Sequence, residues 1–250
     1  KNKKYDQTKK ILNSFNQLDE IFYWYKIKKL TAIIFNNQNE TQAINYIENK
    51  YSKIENKRDK IKFDMANIYK NYKKYGKAIN LYSKILENLP SDAEIFGDIL
   101  YRRGGSYERL GQFNKSDEDL ILALKVIPDN SYILNYLAYS WLERNINILE
   151  AVEMLEIAHS KDENNPYITD SIGWAYYLTN RYSESENLIR KALMQMPDDP
   201  IVNDHYGDIL WKLNRKIQAR YFWSNGLDMD DAEKDILDKI NQKLIEGPKS

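Results

Sequence analysis

The chain has no cysteine, so no disulfide, thiolate metal site or cysteine nucleophile can be built from it, and its redox compartment is left open. It also lacks any apolar run of the about 18 residues that a membrane-spanning helix needs, and nothing at its start has the apolar core of a signal peptide. Mean hydropathy is −0.70. Surplus charge of either sign is missing too. The 37 basic side chains are matched by 37 acidic ones, which argues against nucleic-acid binding by whole-surface attraction, because that needs an excess of cations to displace phosphate counterions. With 2 histidines, acid–base and metal chemistry have little to work with. Large apolar side chains are plentiful. Aromatics make up 13% of the 250 residues, 20 of them tyrosine, enough burial energy to offset the entropy of ordering a chain.

Charge is balanced globally and not locally. Residues 1–62 carry 14 basic and 7 acidic side chains, whereas residues 101–250 carry 18 and 25. Two solvated surfaces of opposite sign, or a partner selected by charge, would follow from this division.

The prolines reveal the organisation. Pro90, Pro128 and Pro166 are spaced at intervals of 38, and Pro166 and Pro200 at 34. Proline is excluded from helix interiors and collects at junctions, so regular spacing means regular junctions and a repeat protein. Aligned from Pro166 and from Pro200, two 34-residue units fall into step. Gly173 and Gly207 share the eighth position, and Ala192 and Gly226 the twenty-seventh. Tyr176 and Leu210 share the eleventh, and Ile189 and Trp223 the twenty-fourth. Earlier copies span 131–165 (Ala138, Trp141, Ala151, Leu155, Ala158), 97–130 (Gly104, Tyr107, Gly111, Leu120, Ala123) and 59–92 (Ala66, Tyr69, Ala78, Tyr82). A divergent copy covers about 24–57, with Ala43 and Ile47 in place. Each unit shows two stretches of 3.6-residue periodicity around a short turn, a helical hairpin that cannot bury its own apolar stripe until hairpins stack.

This pattern, small at eight and twenty, aromatic at eleven and twenty-four, proline at thirty-two, resembles the tetratricopeptide repeat family. The resemblance implies an all-α fold, a right-handed α-solenoid of about six helical hairpins. After the last repeat, 200–231, a capping helix is expected over 232–246, started by Asp230 and Asp231 and stopped by Gly247 and Pro248. Its Ile236, Ile240 and Leu244 form one stripe, and Asp235, Lys239 and Lys243 are expected to face away. Residues 1–23 carry an amphipathic pattern (Ile11, Leu12, Phe15, Leu18, Phe22) with no matching first helix. The expectation there is a helix left from an upstream repeat, in the C-terminal part of a longer protein.

Catalytic motifs are missing: no G-x-S-x-G, Walker loop, H-E-x-x-H or G-x-G-x-x-G occurs. His159 falls near the end of a helix, where a cation complements the dipole. His205 is flanked by Asp204 and Asp208 and should face Asp170 on the neighbouring hairpin, an arrangement that would need further ligands to hold a metal. Gly104-Gly105 sits at positions where close packing demands small residues, and Asp198-Asp199 falls where a helix is capped. Basic residues interleaved with Tyr5, Tyr23, Trp24 and Tyr25 belong to no recognised nucleic-acid fold. The expectation is a non-enzyme with no metal, cofactor or nucleic-acid partner.

The family resemblance implies that first helices line a concave groove, with positions two, five, nine, twelve and thirteen pointing into it. These are Tyr132, Asn135 and Tyr139 in one repeat, with Leu142 and Glu143; Tyr167, Asp170, Trp174 and Tyr177 in the next, with Leu178; and Asp204, Asp208 and Trp211 in the last, with Ile201 and Lys212. Large rings on such a surface make anchors for a partner segment, and the carboxylates beside them would favour cations on it. They would also repel the anionic chain terminus that some tetratricopeptide modules clamp. A narrower resemblance lies in Tyr167–Tyr177, Ile201–Trp211 and Ala219–Trp223. These stretches are similar to the last repeats of proteobacterial tetratricopeptide lipoproteins held at the outer membrane by a lipidated N-terminus. One branch of that group acts as an adaptor of a periplasmic carboxyl-terminal processing protease. What the resemblance implies is a protein-binding scaffold in the periplasm, associated with the outer membrane through an anchor outside this sequence. The alternatives are a purely structural or self-assembling spacer, and a cytoplasmic location.

Overall fold

The structure is a computed structural model that describes residues 2–14, 19–227 and 234–248. Among the described residues every regular element is a helix. They divide into two compact units, residues 1–126 and 127–250. The first holds α1 (Asn2–Ser14), α2 (Glu20–Asn37), α3 (Glu40–Ser52), α4 (Asp59–Asn71), α5 (Tyr75–Leu86), α6 (Glu94–Glu108) and α7 (Phe113–Val126). The second holds α8 (Ser131–Glu143), α9 (Ile148–Lys161), α10 (Pro166–Leu178), α11 (Tyr182–Gln195), α12 (Pro200–Lys212), α13 (Lys216–Leu227) and α14 (Lys234–Glu246).

One turn chemistry builds five hairpins. In each, the fifteenth residue of the repeat adopts the left-handed conformation: Lys73 (φ 54), Gly111 (φ 70), Asn145 (φ 55), Asn180 (φ 63) and Asn214 (φ 61). The residue after it donates its N–H back to the carbonyl of the eleventh position. These bonds run from Lys74 to Tyr69 (2.8 Å), Gln112 to Tyr107 (2.9 Å), Ile146 to Trp141 (3.0 Å), Arg181 to Tyr176 (2.8 Å) and Arg215 to Leu210 (2.8 Å). This six-residue closure satisfies carbonyls at the end of the first helix and reverses the chain. Glycine and asparagine tolerate the conformation; lysine does so at a cost.

First helices of the second unit start on side-chain caps. Asn130 accepts from the amides of Tyr132 and Ile133, Asn165 from those of Tyr167 and Ile168, and Asp199 from those of Ile201 and Val202. Pro166 and Pro200 occupy the first helical turn, where no amide is needed. Close approach of the two helices explains the small eighth residue. A Cβ on Gly173 would stand 2.6 Å from Ile189 Cδ1, and one on Gly207 would run into the Trp223 indole. The core of the first unit gathers Trp24, Ile27, Ile47, Ile61, Met65, Tyr82 and Ile99. Around the last hairpin of the second unit the core gathers Ile189, Tyr206, Ile209, Leu210, Trp223 and Ile240.

The ends differ from the sequence reading in detail. The helix in the segment read as 24–57 begins earlier, at Glu20, because the Asp19 carboxylate caps the amides of Ile21 and Phe22. Of the stripe read over 1–23, Ile11 and Phe22 are exposed, while Phe15 and Leu18 lie outside the described residues. At the other end Ile240 is fully buried, and Ile236 and Leu244 pack beside it as expected. Asp230 and Asp231 lie outside the described residues. Lys243 is a correction: it was assigned to the outer face and instead turns inward, for the reason given below.

Replacing Lys73 by glycine removes the clash of its Cβ in the left-handed region, at the price of a looser unfolded chain. A net stabilisation of about 0.5–1 kcal/mol is expected. Urea unfolding of K73G against the parent checks this; an unchanged or lower midpoint contradicts it.

Candidate protein-binding face of the C-terminal unit

In the second unit α8 touches α10, α10 touches α12, and α12 touches α14. The inward positions of these helices therefore form one continuous side. Charge on that side is consumed internally. The two oxygens of Asp170, on α10, lie 3.0 and 3.1 Å from Nδ1 of His205 on α12. Lys243 Nζ, on α14, donates to both oxygens of Asp204 (2.8 and 2.7 Å) and to Asp208 Oδ2 (2.8 Å). The other oxygen of Asp208 accepts from the Trp223 indole at 3.2 Å. Each buried carboxylate on α10 and α12 is thus paired with a cationic group from the first helix that follows, counting α14 as the next in line. Burial leaves these groups little water, so a cation is what makes their charge tolerable.

Their acidities follow. Burial opposes a charge on His205, but the attraction and hydrogen bond of Asp170, with Asp204 and Glu143 behind it, outweigh burial and raise its pKa. Burial likewise pushes the Asp208 carboxyl up to about 6 against the pull of Lys243. For Lys243, burial is overcome by Asp208 and Asp204, and its pKa is raised.

The expectation that Asp170, Asp204 and Asp208 face a ligand therefore meets a different geometry, since all three are held by groups of the same chain. The rings are partly used as well. Trp174 stacks on His205 (4.1 Å between centroids, 10° between planes) and on Tyr177 (4.7 Å, 12°), and its Nε1 is buried without a partner. Tyr139 tilts against His205 at 6.4 Å. Its phenol pKa is raised by burial and by Glu143, Asp170, Asp199 and Asp204. Tyr177 is raised for the same first reason. Trp211 leans on Trp223 (5.4 Å) and covers Gly247, with Lys216 and Arg220 over its ring. Asn135 is half-buried with an unpartnered Oδ1. Two anchors remain open: Tyr132 and Tyr167, 58% and 64% exposed, at the second position of adjacent first helices.

Lys243 was the functional residue that sequence reasoning missed. Continuing the 34-residue period from Pro200 starts the next first helix at Lys234 and puts Lys243 at its tenth position, which is not one of the groove positions, so the period alone does not mark it. Gly104, assigned to packing, does lie against Leu120 and Asp119. Among the described residues no three His, Cys, Asp or Glu side chains are grouped to hold a metal ion, and no helix is long and apolar enough to cross a membrane.

Residues 97–130 match the family model of the tetratricopeptide repeat. Over 123 residues the chain is 30% identical to the TPR repeat-containing protein PA4667 of Pseudomonas aeruginosa, a match covering 49% of this chain and 20% of that protein. The chain thus spans about a fifth of that relative's length. Among solved structures it is similar to PilW, described as a widely conserved type IV pilus biogenesis factor. That likeness has a TM-score of 0.63 at 18% identity, covering 77% of this chain and 87% of the other. It is also similar to pilF of Pseudomonas aeruginosa, with a TM-score of 0.59 at 18% identity, covering 74% and 82%. The fold is all-α, an array of helical hairpins of the tetratricopeptide type. Proteins of this type act as protein-interaction scaffolds.

Removing the Lys243 ammonium in K243M leaves two carboxylates facing each other under α14. A loss of about 3 kcal/mol is expected in urea unfolding followed by tryptophan fluorescence, and the triple variant D204N/D208N/K243M should recover most of it. A single variant as stable as the parent would contradict the pairing.

Proposed function

We propose that the chain is a non-catalytic adaptor whose C-terminal unit holds a segment of a partner protein on the side formed by α8, α10 and α12. The observation that carries the reading is the pair Tyr132 and Tyr167. They are large rings in the same register on neighbouring first helices, exposed where the surrounding rings are stacked and the carboxylates are paired. Exposed aromatic side chains on a rigid scaffold are the residues that dominate binding energy when a partner covers them. On the same side Tyr139 and Trp174 pack on His205 and Tyr177 stacks on Trp174, with Asn135 half-buried; Asp170, Asp204 and Asp208 are paired and Trp211 leans on Trp223, so these residues serve as the rigid support of the surface.

The finer reading is a periplasmic, outer-membrane-associated adaptor of a carboxyl-terminal processing protease. What supports it is the likeness of the last repeats to that lipoprotein group, the 30% identity to PA4667 and the fold shared with PilW and pilF. A structural spacer is the second reading, favoured by the internal pairing of the inward carboxylates; the two open tyrosines weigh against it.

A photo-crosslinking amino acid placed at 132 or 167 in the full-length protein in cells should give discrete adducts with another protein. The same probe at Met194 or Ile217, exposed on second helices, should not. Purified processing protease should compete for the adducts. Absence of adducts at both tyrosines would remove the scaffold reading; adducts that the protease does not displace would remove only the protease.

A further inference from the structure

We propose that the segment received on this face is cationic, rich in lysine or arginine, and lies across Tyr132 and Tyr167. The inference rests on the reading of that side as a protein-binding surface and names the chemistry of its occupant. Three observations carry it.

The first is the charge of the unit itself. Residues 127–250 hold 13 basic and 21 acidic side chains, whereas residues 1–126 hold 24 and 16. The balance of the whole chain therefore conceals an acidic C-terminal unit, whose field draws cations and slows the approach of anions.

The second is how the unit meets its own needs. Wherever an inward carboxylate is buried, the group that answers it is basic: His205 for Asp170, and Lys243 for Asp204 and Asp208. At the equivalent fifth position of α8 the residue is the neutral Asn135, and the helix that follows offers no cation there. The internal pairs end at that point, and Glu143, at the far end of the same helix, is exposed.

The third is the pair of tyrosines. An ammonium or guanidinium over a phenol ring is attracted by the ring's quadrupole, and the structure uses this contact repeatedly, as in Arg181 over Tyr176 at 3.5 Å. Among the described residues no such cation lies over Tyr132 or Tyr167. Two open rings one repeat apart on an acidic unit fit a chain that presents basic side chains at intervals. They do not fit an acidic or wholly apolar one.

The test uses the full chain and two fluorescein-labelled peptides of equal length. One is built from lysine, alanine and leucine; the other has glutamate in place of each lysine. The lysine peptide is expected to bind at least about tenfold more tightly, and its affinity to fall about tenfold between roughly 50 and 300 mM salt as screening shortens the reach of the field. The double variant Y132A/Y167A, which leaves every charge in place, should weaken the lysine peptide by about tenfold or more with an unchanged helical spectrum. Equal binding of the two peptides overturns the proposal, as does full retention of binding in Y132A/Y167A. Salt-sensitive self-association of the chain in sedimentation, lost in Y132A/Y167A, would overturn it in favour of a second copy. Adducts at 132 or 167 that map to a segment without lysine or arginine would sink the cationic occupant while leaving the scaffold reading intact.

Discussion

A carboxylate buried between two helices must find a cation, and in the C-terminal unit the next first helix supplies it. Asp170 with His205, and Asp204 and Asp208 with Lys243, tie α10 to α12 and α12 to α14. Apolar contacts between hairpins tolerate small slips, because dispersion has no direction. A two-oxygen contact at about 3 Å does not. The pairs therefore fix the register of α10, α12 and α14, and through it the placement of the rings that these helices carry on the inward side. The first unit contains the same kind of tie. Asp64 on α4 accepts from Lys28 and from the Trp24 indole on α2, and Arg102 on α6 reaches Asn67 on α4.

Function follows from what the ties leave over. Stacking of Trp174 between His205 and Tyr177, and the cover that Trp211 gives to Gly247, convert anchors named from their positions into supports. Supports are not idle, since a binding surface on a solenoid gains affinity when it is rigid before the partner arrives. What faces outward is a short aromatic register, Tyr132 and Tyr167, on an acidic unit. The capping helix α14 belongs to the same logic: it closes the core with Ile240 and delivers the last cation, so its polar side does as much for the array as its apolar stripe.

Much of the fold was legible in the residues. Proline spacing and the small residues at eight and twenty-seven gave the hairpins, and Asn180 and Asn214 mark turns whose left-handed residue recurs at the fifteenth position. The pairing of His205 with Asp170 was anticipated from a single period. The fate of the rings was not legible, because position in a repeat tells which side a residue faces and says nothing about whether a neighbour covers it. Lys243 illustrates the same gap. A lysine on an amphipathic helix reads as solvated until the carboxylates across from it are known, and those lie 35 and 39 residues earlier.

The central claim is that cations of the chain hold its inward carboxylates, and titration of the His205 imidazole by NMR tests it most directly. The account predicts a midpoint above the roughly 6.5 of a free imidazole, moving down when Asp170 is replaced by asparagine. The linked stability has a definite sign: the contribution is fully present below the unfolded value near 6.5 and is lost as pH rises through the higher folded value. A midpoint below about 6.5 in the parent protein, with no response to D170N, would mean that burial wins, the histidine is neutral and the tie between α10 and α12 is not ionic.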